Sequence, residues 1–498
     1  MAIRTAEQYR ESVRDDRMVY FNGERVKDVT QNPSLRVSVE QCAVDYWMTE
    51  DPRYRDLLVE ENENGEPVSF VFTEPRSTED LLRRREIIEL QSRICFGEPA
   101  GAKFTGIDGL NAVGIVCKRM DKELGTNYYP RVEAYRKYLQ ETDIALAALC
   151  MTDVKGDRSL RPSKQASKDF YLRLVERKKD GIVVRGAKQH IGFACSTNDM
   201  IVMPCRNHGE ADKDCALVFV IPINTKGITI IPHSRNSVVE GDFLDHPIQG
   251  RCNAADGLVV FDDVFVPMEG VFLCEEWQYS GEMAYMFANF HRLGGDTYKY
   301  PRLEILVGAA KLMAEYNGID HAPHIQEKLS WLAMYIENVG AMGKVACENC
   351  MKEPDSDLVY PNPMYSNISK MYFADNYHQA LKHIQDIAGG LAATIPSSKD
   401  FYNPETRPLM ERYYTGKEGI PAEHRIRAVK LVADLSSTYC MLATIHGEGS
   451  LAAQRMSIYQ LADWERYKAA AKRAAGIDDG KEHPIFSDLP EFPQQVLK

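Results

Sequence analysis

The sequence M-T-D-V-K-G-D-R (residues 151–158), followed by G-I-V-V-R-G-A-K-Q-H (residues 181–190), marks the point at which the chain changes character. The first segment places two carboxylates, a lysine and an arginine around one glycine, directly after the apolar residues 144–150. The second segment is an apolar strand that ends in polar side chains. Such a polar rim can bind a large anionic cofactor, although a polar turn with local ion pairs is the competing interpretation.

Outward from this rim, the hydrophobic pattern predicts an α+β chain with an acyl-CoA dehydrogenase-like order of parts. Residues 1–145 predict an N-terminal helical domain. Residues 146–280 carry short apolar runs bounded by Gly, Pro, Asn and Asp, which are typical of an antiparallel β domain or small barrel. Residues 281–475 predict a C-terminal helical bundle, and the proline-containing residues 476–498 predict an extended tail.

Composition argues against several classes of function. The 498 residues are 44% hydrophobic, which is enough for a large core divided among two or three subdomains. A net charge of −12 disfavours binding to nucleic acid and to anionic membranes. No apolar run reaches about 18 residues, and none follows the initial Met, so we expect a cytoplasmic protein that does not span a membrane. Twelve scattered cysteines predict reduced thiols and no metal site.

The rim has chemistry that a flavin requires. A flavin presents a flat ring with polar edges, and its pyrophosphate binds cations or backbone N–H groups. Thr152, Lys155, Arg158 and Lys188 could supply these groups. The rim contains neither the glycine fingerprint of dinucleotide-binding folds nor a Walker loop, so those folds receive no support.

Two glycine-rich segments could also approach a ligand. In D-I-A-G-G-L (residues 386–391), Gly389 and Gly390 could receive a pyrophosphate or an adenine, or could simply end a helix. H-G-E-G-S (residues 446–450) interrupts the helical pattern and allows the same two interpretations.

Candidate acid–base groups surround a double glycine in N-F-H-R-L-G-G-D-T-Y-K-Y-P (residues 289–301). The segment predicts the mouth of a pocket, with His291 as the acid or base; a helix break with a structural, hydrogen-bonded histidine is the alternative. Asp256 precedes an apolar strand and is either a turn residue or a base with a raised pKa. The arginine run at residues 83–85, on a helix that Ser77 begins, predicts a solvated face or a subunit contact.

These motifs resemble the superfamily of 4-hydroxyphenylacetate 3-monooxygenase large subunits and 4-hydroxybutyryl-CoA dehydratases over nearly the whole chain. The T-D-V-K-G-D-R, E-Y-N-G and I-A-G-G-L segments are nearer the dehydratase branch. The resemblance implies FAD between the sheet domain and the bundle, and a homotetramer or dimer of dimers in which the paired glycine reaches a neighbouring subunit's cofactor. The implied cofactor-binding residues are Met151, Thr152, Lys155, Asp157, Arg158, Lys188, Gln189, His190, Gly389 and Gly390.

The chain departs from the dehydratase branch at its metal cluster. Those enzymes hold an iron–sulfur (4Fe–4S) cluster through C-x3-C and H-x6-C motifs. The resemblance places Ala100, Phe104 and Tyr298 at the three cysteine positions and retains only His291. Because one ligand of four cannot hold a cluster, we expect no iron–sulfur centre.

Some other positions of the dehydratase site hold different residues in this chain, and one holds the same residue. The family's tyrosine falls at Gly295, and its C-terminal glutamate falls at about Ala443. Asp256 stands where that branch has a glutamate, while Lys299 matches its lysine. Dehydration through a cluster-bound substrate is therefore not expected.

The phenol-hydroxylating branch is also altered at its substrate site. Its arginine and tyrosine positions hold Thr105 and Gly109, and its histidine position holds Leu149. The resemblance thus implies a retained flavin site combined with a changed substrate site.

Three hypotheses of function follow. The first is a two-component monooxygenase that takes FADH2 from a separate flavin reductase and acts on an aromatic or related small organic substrate, with His291 as acid–base group and Lys299 and Asp256 as second candidates. The second is a cluster-free acyl-CoA dehydratase or isomerase in which Asp256 removes a proton. The third is a non-catalytic flavin-binding paralogue.

Overall fold

The computed structural model describes residues 3–233, 243–354, 356–437, 442–443, 445–477, 480 and 483–487. Along the chain, helical segments come before and after the main strands. In the first part, Ser77 and Asp80 form a reciprocal capping box at the start of the helix α4 (Thr78–Ile94). The other elements of this part are α1 (Ala6–Ser12), β1 (Val19–Phe21), β2 (Glu24–Val26), α2 (Arg36–Glu50), α3 (Pro52–Leu58), β3 (Val59–Glu61), β4 (Pro67–Ser69), α5 (Phe104–Leu124) and α6 (Tyr129–Thr142).

The middle part is built of strands. They are β5 (Ala148–Cys150), β6 (Arg173–Arg177), β7 (Gly181–Ile191), β8 (Asp199–Val202), β9 (Leu217–Pro222), β10 (Ile228–Pro232), β11 (Gly257–Pro267) and β12 (Val271–Cys274). Within the described ranges they form a six-stranded sheet in the order β2-β1-β10-β11-β7-β6 and a four-stranded sheet in the order β12-β9-β8-β5. Most pairs are antiparallel, but β5 pairs with β8 in parallel, with Leu149 opposite Ile201.

The six-stranded sheet includes residues that the pattern assigned to helices. β1 pairs with β2 and, through Val19 and Ile230, with β10. Three-residue strands are too short to show the alternation of apolar and polar side chains that reveals a strand in sequence. The N-terminal part therefore contributes to the sheet that carries the rim.

The last part is again helical, so the predicted α+β class is confirmed. Its long helices are α7 (Ser280–Tyr316), α8 (Pro323–Glu348) and α9 (Pro363–Ala388). The remaining elements are β13 (Met351–Lys352), β14 (Val359–Tyr360), α10 (Leu391–Thr394), α11 (Ser398–Tyr402), α12 (Arg407–Tyr413), α13 (Ala422–Leu435), α14 (Leu451–Leu461), α15 (Trp464–Ala475) and α16 (Pro484–Ser487). Most of the predicted tail at residues 476–498 lies outside the described residues.

The alternative interpretation of the double glycine as a helix break is wrong, because α7 runs unbroken from Ser280 to Tyr316. A Cβ atom at Gly294 would lie 3.3 Å from a carboxylate oxygen of Asp108, and one at Gly295 would lie 2.5 Å from the Glu448 side chain. The two glycines therefore allow neighbouring groups to approach the helix closely, and they do not end it.

One hydrophobic cluster joins α5, α7 and the four-stranded sheet. Its buried members include Leu110 on α5, Leu149 on β5 and Phe287 on α7, and Met151 packs against it. Burial of each large apolar side chain contributes about 1.5–3 kcal/mol, so this core fixes α7 relative to the rim. Among the described residues, no helix is long and apolar enough to cross a membrane.

Candidate active site

His291 lies on α7 beside two aromatic rings and a buried carboxylate. Its Nδ1 lies 3.2 Å from Oδ2 of Asp108, and its ring stacks on Phe287 with centroids 4.7 Å apart. The imidazole is 17% exposed, whereas Asp108 is 1% exposed. An imidazole that is held by a carboxylate and remains partly accessible is a suitable proton donor or acceptor.

Arg84 holds Asp108 from the opposite side. Its guanidinium donates to Oδ1 of Asp108 at 2.7 Å and to the carbonyl of Phe104 at 2.9 Å. The expectation of a solvated arginine run is therefore wrong for Arg84, which is 6% exposed. Three consecutive helical residues span about 200° of the helix circumference, so one of them readily faces inward.

A second group of charges surrounds the carboxylate of Glu448. The Lys299 ammonium forms an ion pair with Oε2, and the Tyr298 hydroxyl donates to Oε1 at 2.9 Å. Lys370 on α9 adds a second ammonium 3.9 Å from Oε2. Burial opposes ionisation of Glu448, but the charges of Lys299 and Lys370 outweigh burial and lower the pKa of this carboxyl to about 2.

Two further ionisable groups close the cluster. Burial raises the pKa of the Asp296 carboxyl above its ordinary value, while burial and the charge of Lys299 lower the pKa of the Lys370 ammonium. Arg292 donates to Oδ1 of Asn367 at 2.5 Å and to the carbonyl of Glu448 at 3.3 Å. Burial thus favours the neutral forms of both the Asp296 carboxyl and the Lys370 ammonium.

Lys188 is buried beneath the rim. Its ammonium lies 2.8 Å from Oδ1 of Asp153 and donates to the carbonyls of Met151 and Met203 at 3.0 Å each. The ammonium is thus used within the protein, where it fixes one carbonyl of the rim and one that follows β8. Its predicted contact with a cofactor stays a prediction.

The rim has an unusual backbone conformation at Lys155 and His190. Gln189 donates its backbone N–H to the carbonyl of Thr152 at 2.8 Å. Lys155 and His190 have φ values of 73° and 61°, in the left-handed region that favours glycine. Partial burial and the nearby charges of Lys155 and His446 lower the pKa of the His190 imidazole. His446 precedes Glu448 in the loop of residues 445–450, so this loop lies near both the rim and the charges on α7.

The remaining predicted cofactor residues are more exposed. Oδ1 of Asp157 accepts the backbone N–H of Ser159 at 2.9 Å, and Arg158 beside it is exposed. Gly389 ends α9 with φ of 72°, and open space surrounds both it and Gly390. The interpretation of this pair as a helix end holds locally, and its contact with a cofactor stays a prediction.

Asp256 directly precedes β11. Its carboxylate accepts the backbone N–H of Phe193 at 3.3 Å, and its carbonyl accepts that of His233 at 2.9 Å. These contacts are those of a turn residue that precedes an interior strand of the sheet. Its role as a base stays a prediction.

Sequence reasoning missed several residues of this region. His208 is 4% exposed, and neither ring nitrogen has a hydrogen-bond partner among the described residues. Burial lowers the pKa of this imidazole to about 4, so it is neutral beside Asp153 and Lys188. Nothing in the local sequence marks His208, Asp108 or Lys370. Arg84 and Glu448 lie in segments that the sequence singled out, but their roles as partners of Asp108 and Lys299 were missed.

The residues at the dehydratase cluster positions do not fit an iron–sulfur centre. The Phe104 ring lies 6.4 Å, between centroids, from both His291 and Tyr298, so aromatic rings fill the space around the histidine. Ala100 and Phe104 offer no donor atom, and Nδ1 of His291 already faces Asp108. In the part of the chain that the structure describes, no three His, Cys, Asp or Glu side chains are placed to hold a metal ion.

The fold consists of a sheet region between two helical parts. The polar rim and the buried acid–base cluster both lie near the loop of residues 445–450, and this arrangement is that of an enzyme. Family models for the N-terminal and C-terminal parts of 4-hydroxyphenylacetate 3-hydroxylase match residues 5–273 and 280–476. The chain belongs to this family. The resemblance that the motifs indicated is confirmed.

Both branches of the superfamily are represented among similar proteins. The chain is 32% identical to 4-hydroxybutyryl-CoA dehydratase/vinylacetyl-CoA-Δ-isomerase of Clostridium aminobutyricum, over 95% of this chain and 99% of that protein. It is 29% identical to the oxygenase component of 4-hydroxyphenylacetate 3-monooxygenase of Thermus thermophilus, over 84% of this chain and 85% of that protein. A solved structure of such an oxygenase component complexed with FAD matches with a TM-score of 0.84 and 26% identity, over 94% of this chain and 98% of that chain.

Proposed function

We propose that this protein is the oxygenase component of a two-component monooxygenase, which uses FADH2 to hydroxylate an aromatic or related small organic substrate. The observation that carries this proposal is the acid–base pair of His291 and Asp108, placed among aromatic rings in a chain that belongs to the hydroxylase family along its length. A separate flavin reductase would supply FADH2.

The rim and the loop are suited to hold FAD. Lys155 and the left-handed turn at His190 offer a cation and backbone N–H groups, and Lys188 keeps the carbonyls beneath them in place. Bound reduced flavin supplies one oxygen atom from O2 to the substrate. The remaining residues of the proposed FAD site are Met151, Thr152, Asp157, Arg158 and Gln189. Gly389 and Gly390 face the cofactor of a neighbouring subunit.

His291 exchanges a proton with the hydroxyl group of the substrate. Because Asp108 holds Nδ1, Nε2 is the nitrogen that exchanges a proton with a substrate hydroxyl. Phe104 and Phe287 supply flat apolar faces for an aromatic ring and keep water away from it. Lys299 is a second polar group of the site, and Asp256 stays an alternative base.

Exposed apolar side chains support the homotetramer or dimer of dimers. Met456 and Tyr459 on α14 are 63% and 68% exposed, and Trp464 and Tyr467 on α15 are each 46% exposed. Large apolar side chains grouped on neighbouring helices are typical of a surface that another subunit covers.

A direct assay tests the proposed reaction. The protein is mixed anaerobically with FADH2, then with isotopically labelled O2 and a panel of phenols, and products are analysed by mass spectrometry. We expect a hydroxylated product that carries the label, and His291→Ala should abolish it while FAD binding is retained. Release of hydrogen peroxide without labelled product from any phenol would contradict the proposal.

One observation favours a second candidate, a cluster-free acyl-CoA dehydratase or isomerase. The dehydratase of Clostridium aminobutyricum matches nearly the whole chain at 32% identity. Incubation of the FAD-loaded protein with vinylacetyl-CoA and 4-hydroxybutyryl-CoA, followed by chromatography for crotonyl-CoA, tests this candidate. Activity in neither assay would instead support a non-catalytic flavin-binding protein.

A further inference from the structure

Glu448 has a backbone conformation that residues other than glycine rarely adopt. Its φ is 56°, in the left-handed region, and it lies between Gly447 and Gly449, the latter with φ of 103°. A glutamate adopts this conformation only when the surrounding contacts determine it. The contacts in question are all made with α7 and α9.

Gly295 provides the space for this side chain. A Cβ atom at position 295 would lie 2.5 Å from Cδ and 2.6 Å from Cγ of Glu448, so any larger residue would displace the carboxylate. His291, Gly295 and Lys299 recur every four residues along α7 and therefore lie on one face. The carboxylate thus enters this face one turn away from the proton-transferring imidazole.

Glu448 is the counter-ion of the buried Lys299 ammonium. Lys299 is 2% exposed, and a buried lysine without a counter-ion loses its proton readily. Oε2 of Glu448 pairs with this ammonium, and Oε1 accepts the Tyr298 hydroxyl. Arg292 fixes the loop from behind by donating to the Glu448 carbonyl at 3.3 Å.

We propose that Glu448 is a positioning residue of the active site, which keeps Lys299 charged and oriented so that the ammonium stabilises an anionic oxygen of the substrate, such as a phenolate. The absence of a side chain at Gly295 leaves room for the Glu448 carboxylate. The inference rests on the proposed function and deepens it, because it specifies that the substrate is bound with its hydroxyl ionised.

The probe is 4-nitrophenol, which is yellow only when ionised, bound to the FAD-loaded protein. Titration with pH measures the affinity for the ionised form in the wild type and in Glu448→Gln, which conserves size and removes the charge. We expect binding of the ionised form to weaken about tenfold or more in the variant, as for loss of a charged hydrogen bond. We also expect the pH dependence of probe binding to change in the variant, because the charge of the Glu448 carboxylate no longer faces Lys299. Glu448→Asp should restore part of both properties.

The matched control is Glu98→Gln. Glu98 pairs with Arg302, also on α7, at 2.6 Å, and both side chains are 8% exposed or less. This variant should lose a similar amount of stability without a change in the pH dependence of probe binding. Gly295→Ala should reproduce the effect of Glu448→Gln, and adding Glu448→Ala to it should cause little further loss.

Two outcomes would overturn the inference. Tighter binding of ionised 4-nitrophenol by Glu448→Gln would show that Glu448 competes with the ligand for Lys299. An unchanged pH profile in a folded, FAD-binding Glu448→Gln variant would show that Glu448 only packs. Neither outcome depends on turnover, so a failure of the hydroxylation assay is distinguishable from a failure of this inference.

Discussion

Replacement of Lys188 by methionine tests the energetics of the rim. The ammonium lies 2.8 Å from Asp153 and donates to the carbonyls of Met151 and Met203, and the side chains of Lys188 and Asp153 are 3% and 2% exposed. Methionine has a similar length and removes only the charge and the three contacts. The variant therefore leaves Asp153 as a buried carboxylate without its counter-ion.

The expected loss of stability follows from this geometry. Removal of one partner of a buried ion pair costs about 3–5 kcal/mol, because the remaining charge is not solvated. Oδ1 of Asp153 still accepts the backbone N–H of Leu172 at 2.9 Å, which places the expected loss toward the lower end of that range.

Urea denaturation of Lys188→Met and of the double variant Lys188→Met with Asp153→Asn measures this coupling. The double variant should recover most of the lost free energy of unfolding, since no unpaired charge remains. FAD affinity, followed by flavin fluorescence, should recover with it. A loss below about 1 kcal/mol in Lys188→Met would refute the burial argument. Recovered stability without recovered FAD affinity would instead show that Lys188 contacts the cofactor directly.

Three further perturbations test other parts of the structure. Asp108→Asn should lower the turnover number about 10²-fold through misorientation of His291 while FAD affinity is unchanged; unchanged turnover would rule out the positioning role. The pKa of His208 is lowered to about 4 in the folded state, so the unfolded chain binds the proton first as the pH falls below about 6.5, and the wild type should lose stability between these values. His208→Gln should show a smaller loss over that pH interval in urea titrations, and an identical loss would contradict the burial of the imidazole. Ser77→Ala should lower the free energy of unfolding by about 1 kcal/mol through loss of the capping bond to Asp80, and Thr78→Ala is the neighbouring control.

Features that depend on neighbouring residues were readable before the structure was known. The start of a helix at Ser77 was predicted from adjacent residues, and the structure shows there a capping box between Ser77 and Asp80. The long strands β7 and β11 and the helices α8 and α9 carry enough residues to show their hydrophobic period. The motifs that span the chain also indicated the family correctly.

Local signals failed where the partner of a residue is distant in sequence. The double glycine of α7 has the composition of a helix break, yet Gly294 and Gly295 are required by Asp108 and Glu448, which come from α5 and from the loop before α14. β1 joins a strand more than 200 residues away through a single register pair, Val19 with Ile230. Tertiary packing overrides a weak local preference at each of these places.

By itself, the sequence determined the order of helical and strand regions, the family and the polar rim, because each of these is specified by periodicity or by motifs of adjacent residues. Only the tertiary structure decided that Lys188 is an internal ion-pair partner, that Asp108 holds His291, and that Glu448 enters the face of α7 opened by Gly295. These contacts join residues up to 183 positions apart, and their strength depends on burial and on the neighbouring charges. Burial and charge at a point in space are properties of the folded chain, so the chemistry of the site emerges only when the elements pack together.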